Sequence, residues 1–204
     1  MNVTVEAYTP NPVEVCSSFA GLCYGKSNAS TVRLERCYKS GHMGIFEHAT
    51  VSLLVEGISR ACSHQIVRHR MASYNQVSQR YCKMPVDYDV VTPPSIEAHD
   101  MGAAYELCTV ACLETYHNML AAGVPAEDAR YVLPQGGTTS LVVTMNLREL
   151  FHFLELRTDK HAQWEIRAVA VAMLEAVSKI DDQYNWLMGL WLWDDSKGHK
   201  ETEA

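Results

Sequence analysis

No apolar run in this 204-residue chain approaches the ~18 to 20 residues that a membrane-spanning helix requires, so no membrane partner is expected. The opening residues, MNVTVEAYTPNP, lack the basic end and apolar stretch of a secretory signal, and a cytoplasmic location is expected. No C-x-x-C pair occurs among the seven cysteines, an odd number at irregular gaps. That argues against a disulfide framework or a structural zinc site, leaves small buried thiols as the expectation for nearly all of them, and predicts no metal. A basic excess is missing too. With 17 Lys+Arg against 24 Asp+Glu the net charge is −7, which excludes non-specific nucleic-acid binding as the main work of the surface. Repeats, low-complexity tracts and Gly/Ser linkers are also lacking, so residues 1–204 read as a single domain. What remains is a chain 48% hydrophobic and 20% charged, able to bury a sizeable core.

Periodicity supplies the elements. Val3 to Tyr8 alternates like a strand before the Pro10-Asn11-Pro12 breaker, and Val13 to Cys23 follows as a short helix. A helix over Ser30 to Ser40 is stopped by Gly41. Thr50 to Val55 predicts a strand, and Ile58 to about Val67 a helix with Ile58, Ala61, Cys62 and Ile66 on one face. Residues 84–95 read as a loop, Glu97 to Ala122 as one long helix, and Ala126 to Leu133 as a short helix opened by Pro125. Thr138 to Thr144 is a β-branched strand, followed by helices at Leu147 to Leu156 and His161 to Ile180. Three or so strands among this many helices do not make a regular βαβ array, so the fold class expected is α+β, a mostly antiparallel sheet with helices packed against it.

One stretch departs from the acidic balance. From Gly57 to Val86 there is not one Asp or Glu, yet the stretch holds Arg60, Arg68, Arg70, Arg80, Lys83, His64 and His69. A merely solvated basic face mixes in Glu and Lys; here neutral hydrogen-bonding residues (Ser73, Asn75, Gln76, Ser78, Gln79) are interleaved instead. Rigid guanidinium forks suit a phosphate and the neutral groups suit a flat polar ring.

The run Arg68-His69-Arg70-Met71-Ala72-Ser73-Tyr74-Asn75-Gln76-Val77-Ser78-Gln79-Arg80-Tyr81 resembles, at every fixed position, the R-H-R-x-x-S-x-N-x-x-S-x-R signature of the flavin-dependent thymidylate synthases. The resemblance covers about residues 21–180. Gly41-His42 and Glu47-His48, Gln65, Ala129 to Pro134, Asn146-Leu147-Arg148, Leu156-Arg157 and His161 to Ile166 are similar to further family segments.

The resemblance implies methylation of dUMP to dTMP. Methylenetetrahydrofolate would give the carbon, FAD would carry the reducing equivalents, and NADPH would reduce the FAD. It also implies a homotetramer with sites shared between subunits. By position, Arg68, His69, Arg70 and Gln76 would contact FAD, with Asn146, Leu147, Arg148 and His152 at a second wall and His42 and Gly44 near the ring. No GxGxxG fingerprint is present, so a Rossmann crevice is not expected. The nucleotide would be held by Gln65, Ile66, Val67, Arg68, Gln76, Val77, Ser78, Gln79, Arg80, Arg130 and Arg157, with Ser78, Gln79 and Arg80 as a phosphate cradle. Some members carry Glu at the place of Gln76 and Asn at that of His152. The resemblance places Arg157 at the pyrimidine and so makes it the catalytic candidate: uracil C5 is a poor nucleophile, and a fixed cation beside N3 and O4 can stabilise the charge that activates it.

Other readings compete. A nucleotide- or RNA-binding module would need stacking aromatics, and the basic segment offers only Tyr74 and Tyr81. A flavoprotein reductase would need FAD but neither Arg130 nor Arg157. Cys82 invites comparison with Cys-dependent thymidylate synthases, but no basic partner pattern of that family surrounds it. Cys108 and Cys112, spaced i, i+4, read as core residues. His161, beside Asp159, reads equally as the start of a helix or as a site residue. Tyr184 to Trp193 reads as core or subunit contact, and the tail after Asp194 as frayed.

Overall fold

Apolar side chains at Val51, Leu53 and Val55, with Ile58 beyond, recur at the spacing of a sheet that buries one face, and the strand they form, β2 (Thr50–Ser59), is central. The computed structural model describes residues 1–26 and 28–192. The sheet also contains β1 (Asn2–Tyr8), β3 (Ala72–Gln76) and β4 (Thr138–Asn146), in the order β1-β2-β4-β3. The β2–β4 pairing is antiparallel: Leu147 N donates to Ala49 O, Ser52 and Thr144 share a hydroxyl hydrogen bond, and Arg60 N donates to Gly137 O. The α+β, antiparallel expectation holds.

The helices are α1 (Pro12–Leu22), α2 (Thr31–Lys39), α3 (Arg60–Ile66), α4 (Pro94–Ala98), α5 (Gly102–Ala121), α6 (Ala126–Ala129), α7 (Leu147–Arg157), α8 (Trp164–Ser178) and α9 (Asp182–Leu192). Single turns of 3-10 helix cover 43–48 and 130–132. None of the described helices is long and apolar enough to cross a membrane.

Contacts divide the chain into two compact units. Among the described residues one comprises Met1, 56–66 and 75–141; the other comprises 2–55, 67–74 and 142–192. In the second, α7 packs on α8, and α8 on α9 and β1. Tyr38, Phe46 and Phe151 meet edge-to-face at 5.4 to 5.9 Å, and Tyr184 OH donates to Thr9 O. The Trp-rich segment is core where described: Tyr184, Leu187, Met188 and Trp191 are buried. Trp193 and the tail after Asp194 lie outside the described residues. In the first unit a smaller core gathers Met84, Tyr88, Tyr116 and Ala129.

Several expectations are corrected. β2 continues to Ser59 where a helix was expected from Ile58, because Gly57 adopts φ 66° and lets the strand kink without breaking. The signature contains a strand, β3, whose alternation is carried by half-buried Ala72, Tyr74 and Gln76. The long helix is two, parted at Asp100 with φ 54°; Asp tolerates that left-handed turn better than most residues. After α6 the chain tightens into the 130–132 turn rather than extending a helix to Leu133. α8 starts at Trp164, not His161, because Gln163 caps it by accepting from Glu165 N and Ile166 N, while Asp159 holds the His161 backbone and ring in the preceding turn. Cys108 is exposed and Cys112 half-buried: α5 buries Thr109 and Tyr116, one helical turn-pair apart, which rotates Cys108 outward. Of the seven thiols only Cys16 and Cys62 are buried.

Phe46 is fully buried and touches both Tyr38 and Phe151. Phe46→Ala is expected to lower unfolding free energy by about 3–5 kcal/mol in urea titrations. A loss below about 1 kcal/mol would show that this trio does not hold its unit together.

Candidate functional site

The helix α7 begins where β4 ends. Asn146 closes the strand and caps the helix, its side chain accepting from Glu149 N at 2.9 Å. From that start Glu149, Phe153 and Arg157 fall at i, i+4 and i+8, one stripe of the helix. His69 lies across this stripe. Its Nδ1 is 3.0 Å from Glu149 Oε1, and its Nε2 accepts from Arg157 Nε at 3.0 Å. Its ring is 4.7 Å from that of Phe153 and 5.7 Å from that of His152, and its backbone carbonyl accepts from Tyr74 OH at 2.7 Å. His69 is 5% exposed and Glu149 7%.

An imidazole nitrogen that accepts from a guanidinium N–H carries no proton, so His69 is neutral with its hydrogen on Nδ1, donated to Glu149. The energetics agree. Burial pushes the His69 pKa below the usual imidazole range, Arg157 and His152 lower it further, and Glu149 opposes them without prevailing. Burial, with the Glu149 carboxylate adding to it, pushes Tyr74 up to about 12.

In the same unit a cavity of about 620 Å³ opens beside this cluster, with Met43, Met71 and Phe151 among its apolar walls and Asn146, Arg148 and His152 among its polar ones. Arg148 reaches Glu47 at 2.5 Å across the cavity lining. Apolar faces with convergent donors suit a flat ring with polar edges. Arg68 and Arg70 are exposed, and among the described residues neither has an ion pair. His42 and Gly44 are exposed on the 42–44 turn but do not line the cavity, whereas their neighbours Gly41 and Met43 do. Leu147 is fully buried, so its side chain belongs to the core.

The first unit has a cavity of its own, about 300 Å³, lined by Arg60, His64, Gln79, Arg130, Tyr131 and the 133–135 turn. Arg60 donates to Val77 O and Arg130 to Glu127 O; both retain further donors. Burial, and the nearness of Arg130, pull the Arg60 pKa down. Arg80 binds Glu127 through Nε at 2.9 Å and Nη2 at 2.8 Å. Ser78 Oγ accepts from Arg80 N. Gln79 is buried and hydrogen-bonds Tyr88. Gln76 donates to Ser63 and Thr139 hydroxyls. Val77 is exposed and bonds Ser140 O through its N–H; Gln65 is half-buried, Ile66 fully buried and Val67 exposed.

Two groups of expected residues are thus brought together: Asn146, Arg148 and His152 at one cavity, with His69 bonded to Arg157 nearby, and Gln79 with Arg130 at the other. Glu149 escaped the sequence reading, although the N-x-x-E spacing from Asn146 is a capping pattern that could have drawn attention to it. Arg60 and His64 belong to the acid-free stretch expected to hold an anion, and the cavity gives each a place there that the resemblance does not assign.

The chain matches the family model described as "Thymidylate synthase complementing protein" over residues 4–181. It is 43% identical over 193 residues to a flavin-dependent thymidylate synthase of Geobacter sulfurreducens, covering 88% of this chain and 83% of that one. A flavin-dependent thymidylate synthase of Sulfurisphaera tokodaii is 52% identical over 196 residues, covering 88% and 74%. In fold the chain is similar to the crystal structure of flavin-dependent thymidylate synthase from Helicobacter pylori complexed with FAD and dUMP, with a TM-score of 0.74 at 22% identity over 92% of this chain and 98% of that one.

Because His69 is held neutral in the fold, an unfolded chain takes up a proton there below about pH 6.5 that the folded chain refuses. Above that pH the group is neutral in both states and costs nothing; as pH falls through it, stability is lost. Urea midpoints at pH 7.5 and 5.5 should therefore differ more in the wild type than in His69→Gln, and equal differences would contradict the neutral assignment.

Proposed function

The chain belongs to the flavin-dependent thymidylate synthase family, a family of enzymes, and on that premise we propose that it reductively methylates dUMP to dTMP, with methylenetetrahydrofolate as carbon donor and NADPH-reduced FAD as hydride source. The observation that carries the proposal is the Glu149–His69–Arg157 hydrogen-bond chain, buried at Glu149 and His69 and half-buried at Arg157, which places a fixed cation on the helix that also lines the larger cavity.

The residues fit a flavin. The cavity of about 620 Å³ offers Met43, Met71 and Phe151 to ring faces and Asn146 and Arg148 to ring edges, while Arg68 and Arg70 supply exposed charge for a pyrophosphate. In this proposal Arg68, Arg70, Asn146, Arg148 and His152 hold FAD, with His42 and Gly44 near the ring. Both His69 nitrogens are engaged within the chain, so His69 meets FAD by ring face or backbone if it meets it directly. Bound FAD, once reduced, supplies the hydride.

Arg60 and Arg130 place two cations at the cavity of about 300 Å³, in keeping with a phosphorylated nucleotide held by Arg130 and Gln79, together with Gln65, Gln76, Val77, Ser78 and Arg80. A phosphate takes the Arg80 fork by displacing the half-exposed Glu127 carboxylate. With no cysteine adding to C6, the pyrimidine must be polarised by charge, and Arg157 performs this by stabilising negative charge that develops on the ring. The protein's further work is to orient three ligands and exclude water. The proposal takes the whole chain as one cytoplasmic domain that assembles as a homotetramer with shared sites and uses no nucleic acid.

Anaerobic incubation with FAD, NADPH, dUMP and methylenetetrahydrofolate should yield dTMP, and failure to yield it would sink the proposal. Arg157→Ala should cut turnover by about two to three orders of magnitude while FAD titration changes little. Arg80→Ala should instead raise the dUMP dissociation constant. If saturating dUMP restores Arg157→Ala but not Arg80→Ala, the two roles are reversed. Cys82, exposed beside Lys83, tests the absence of a thiol nucleophile: Cys82→Ser should keep most dTMP production, and a folded, ligand-binding variant making none would assign the attack on C6 to this thiol.

A further inference from the structure

A guanidinium is flat, so fixing one of its N–H vectors fixes the plane in which its other donors act. In this chain the fixed vector is Arg157 Nε–H, and what fixes it is an imidazole nitrogen 3.0 Å away. That bond exists in one tautomer only. With a proton on Nε2, whether in the other neutral form or in the cation, two N–H groups would face each other at that distance. The Glu149 carboxylate, 3.0 Å from Nδ1, selects the tautomer that leaves Nε2 bare. Glu149 is itself anchored, since its backbone N–H is held by Asn146. The ring is wedged between Phe153 and His152, and Tyr74 grips the His69 carbonyl.

We propose that His69 is a positioning residue for Arg157: oriented by Glu149, it offers its Nε2 lone pair to Arg157 Nε–H and so sets the plane in which the guanidinium meets the substrate ring. This rests on the reading of Arg157 as the group that polarises the pyrimidine. A long arginine side chain loses rotamer freedom when it binds, and a bond to His69 made before the substrate arrives lowers the part of that cost that falls on Arg157 Nε–H. The relay has a direction, carboxylate to imidazole to guanidinium, and each member is replaceable only by a group with the same donor or acceptor at the same place. An amide at 149 keeps an oxygen acceptor for Nδ1–H; an aliphatic side chain does not.

The test combines spectroscopy with kinetics. In the FAD-loaded full chain labelled with 15N-histidine, the His69 ring, assigned by its loss in His69→Gln, should show a protonated Nδ1 and a bare Nε2 at pH 7; an Nε2–H tautomer overturns the relay whether or not any variant folds. In steady state, His69→Leu and Glu149→Leu should lower kcat about 10- to 100-fold while the KM for dUMP moves less than about threefold, and Glu149→Gln should stay within about threefold of the wild type. The double variant His69→Leu/Arg157→Ala should be no slower than Arg157→Ala, because the partner of the relay is already gone. Multiplying defects, or a Glu149→Gln as impaired as Glu149→Leu, overturn the proposal. Full turnover in Arg157→Ala overturns instead the role given to Arg157, a failure that the tautomer spectrum distinguishes from failure of the relay.

Discussion

A neutral imidazole that donates from one nitrogen and accepts at the other ties the Arg68–Arg70 turn to α7. Two sides of the larger cavity, the Met71 side and the α7 side, are joined by this bond pair. Met71 reaches the cavity lining because residues 69–71 are anchored there, and Asn146, Arg148 and His152 reach it because α7 starts at a cap that also ends β4. Sliding α7 by one residue would rotate its stripe by about 100° and separate Glu149, Phe153 and Arg157 from the ring together.

Electrostatics adds a second constraint. The chain is acidic overall yet holds its segment 57–86 free of carboxylates, and the acids that pair with its basic residues come from elsewhere, Glu149 from α7 to His69 and Glu127 from α6 to Arg80, while Glu47 from the 43–48 turn pairs with Arg148 on α7. They differ in burial. Glu149 is nearly inaccessible and its bond to His69 is permanent architecture. Glu127 and Glu47 are half-exposed, so their ion pairs are weak in water and yield readily to a competing anion. The acid-free stretch is thereby served by one carboxylate that fixes geometry, Glu149, and one that holds a cation in reserve, Glu127, and Glu47 does the same for Arg148 on α7.

Much of the fold was legible because hydropathy alternates where strands run and recurs at helical spacing where helices do: β1, β4, α2 and α7 lie near the bounds read from sequence, and β2 starts where expected but runs four residues further. β3 was not, since Ser73, Asn75 and Gln76 give a strand period without contrast in polarity. The break at Asp100 escaped because a left-handed Asp leaves no mark in hydropathy and Gly102 alone does not distinguish a break from a glycine inside a helix. For the site, the signature identified the residue types, but partners were hidden by sequence distance. Arg80 and Glu127 are 47 residues apart, and His69 and Glu149 are 80. A buried carboxylate at the start of a helix looks, in sequence, like any solvent-facing acid favoured there by the helix dipole. Only the position of the ring across from it shows that it is a hydrogen-bond acceptor for the interior.

The Asn146 cap has a consequence for how such a chain can change over generations. Because a single amide both terminates β4 and begins α7, the strand's register and the helix's rotation are one variable, not two. An insertion or deletion between them would turn the whole constellation of Arg148, Glu149, His152 and Arg157 at once, whereas a substitution within 146–157 leaves the count of residues, and with it the rotation of the helix, in place. The junction behaves as a ruler: a change of side chain acts at its own position, and a change of length acts at all of them.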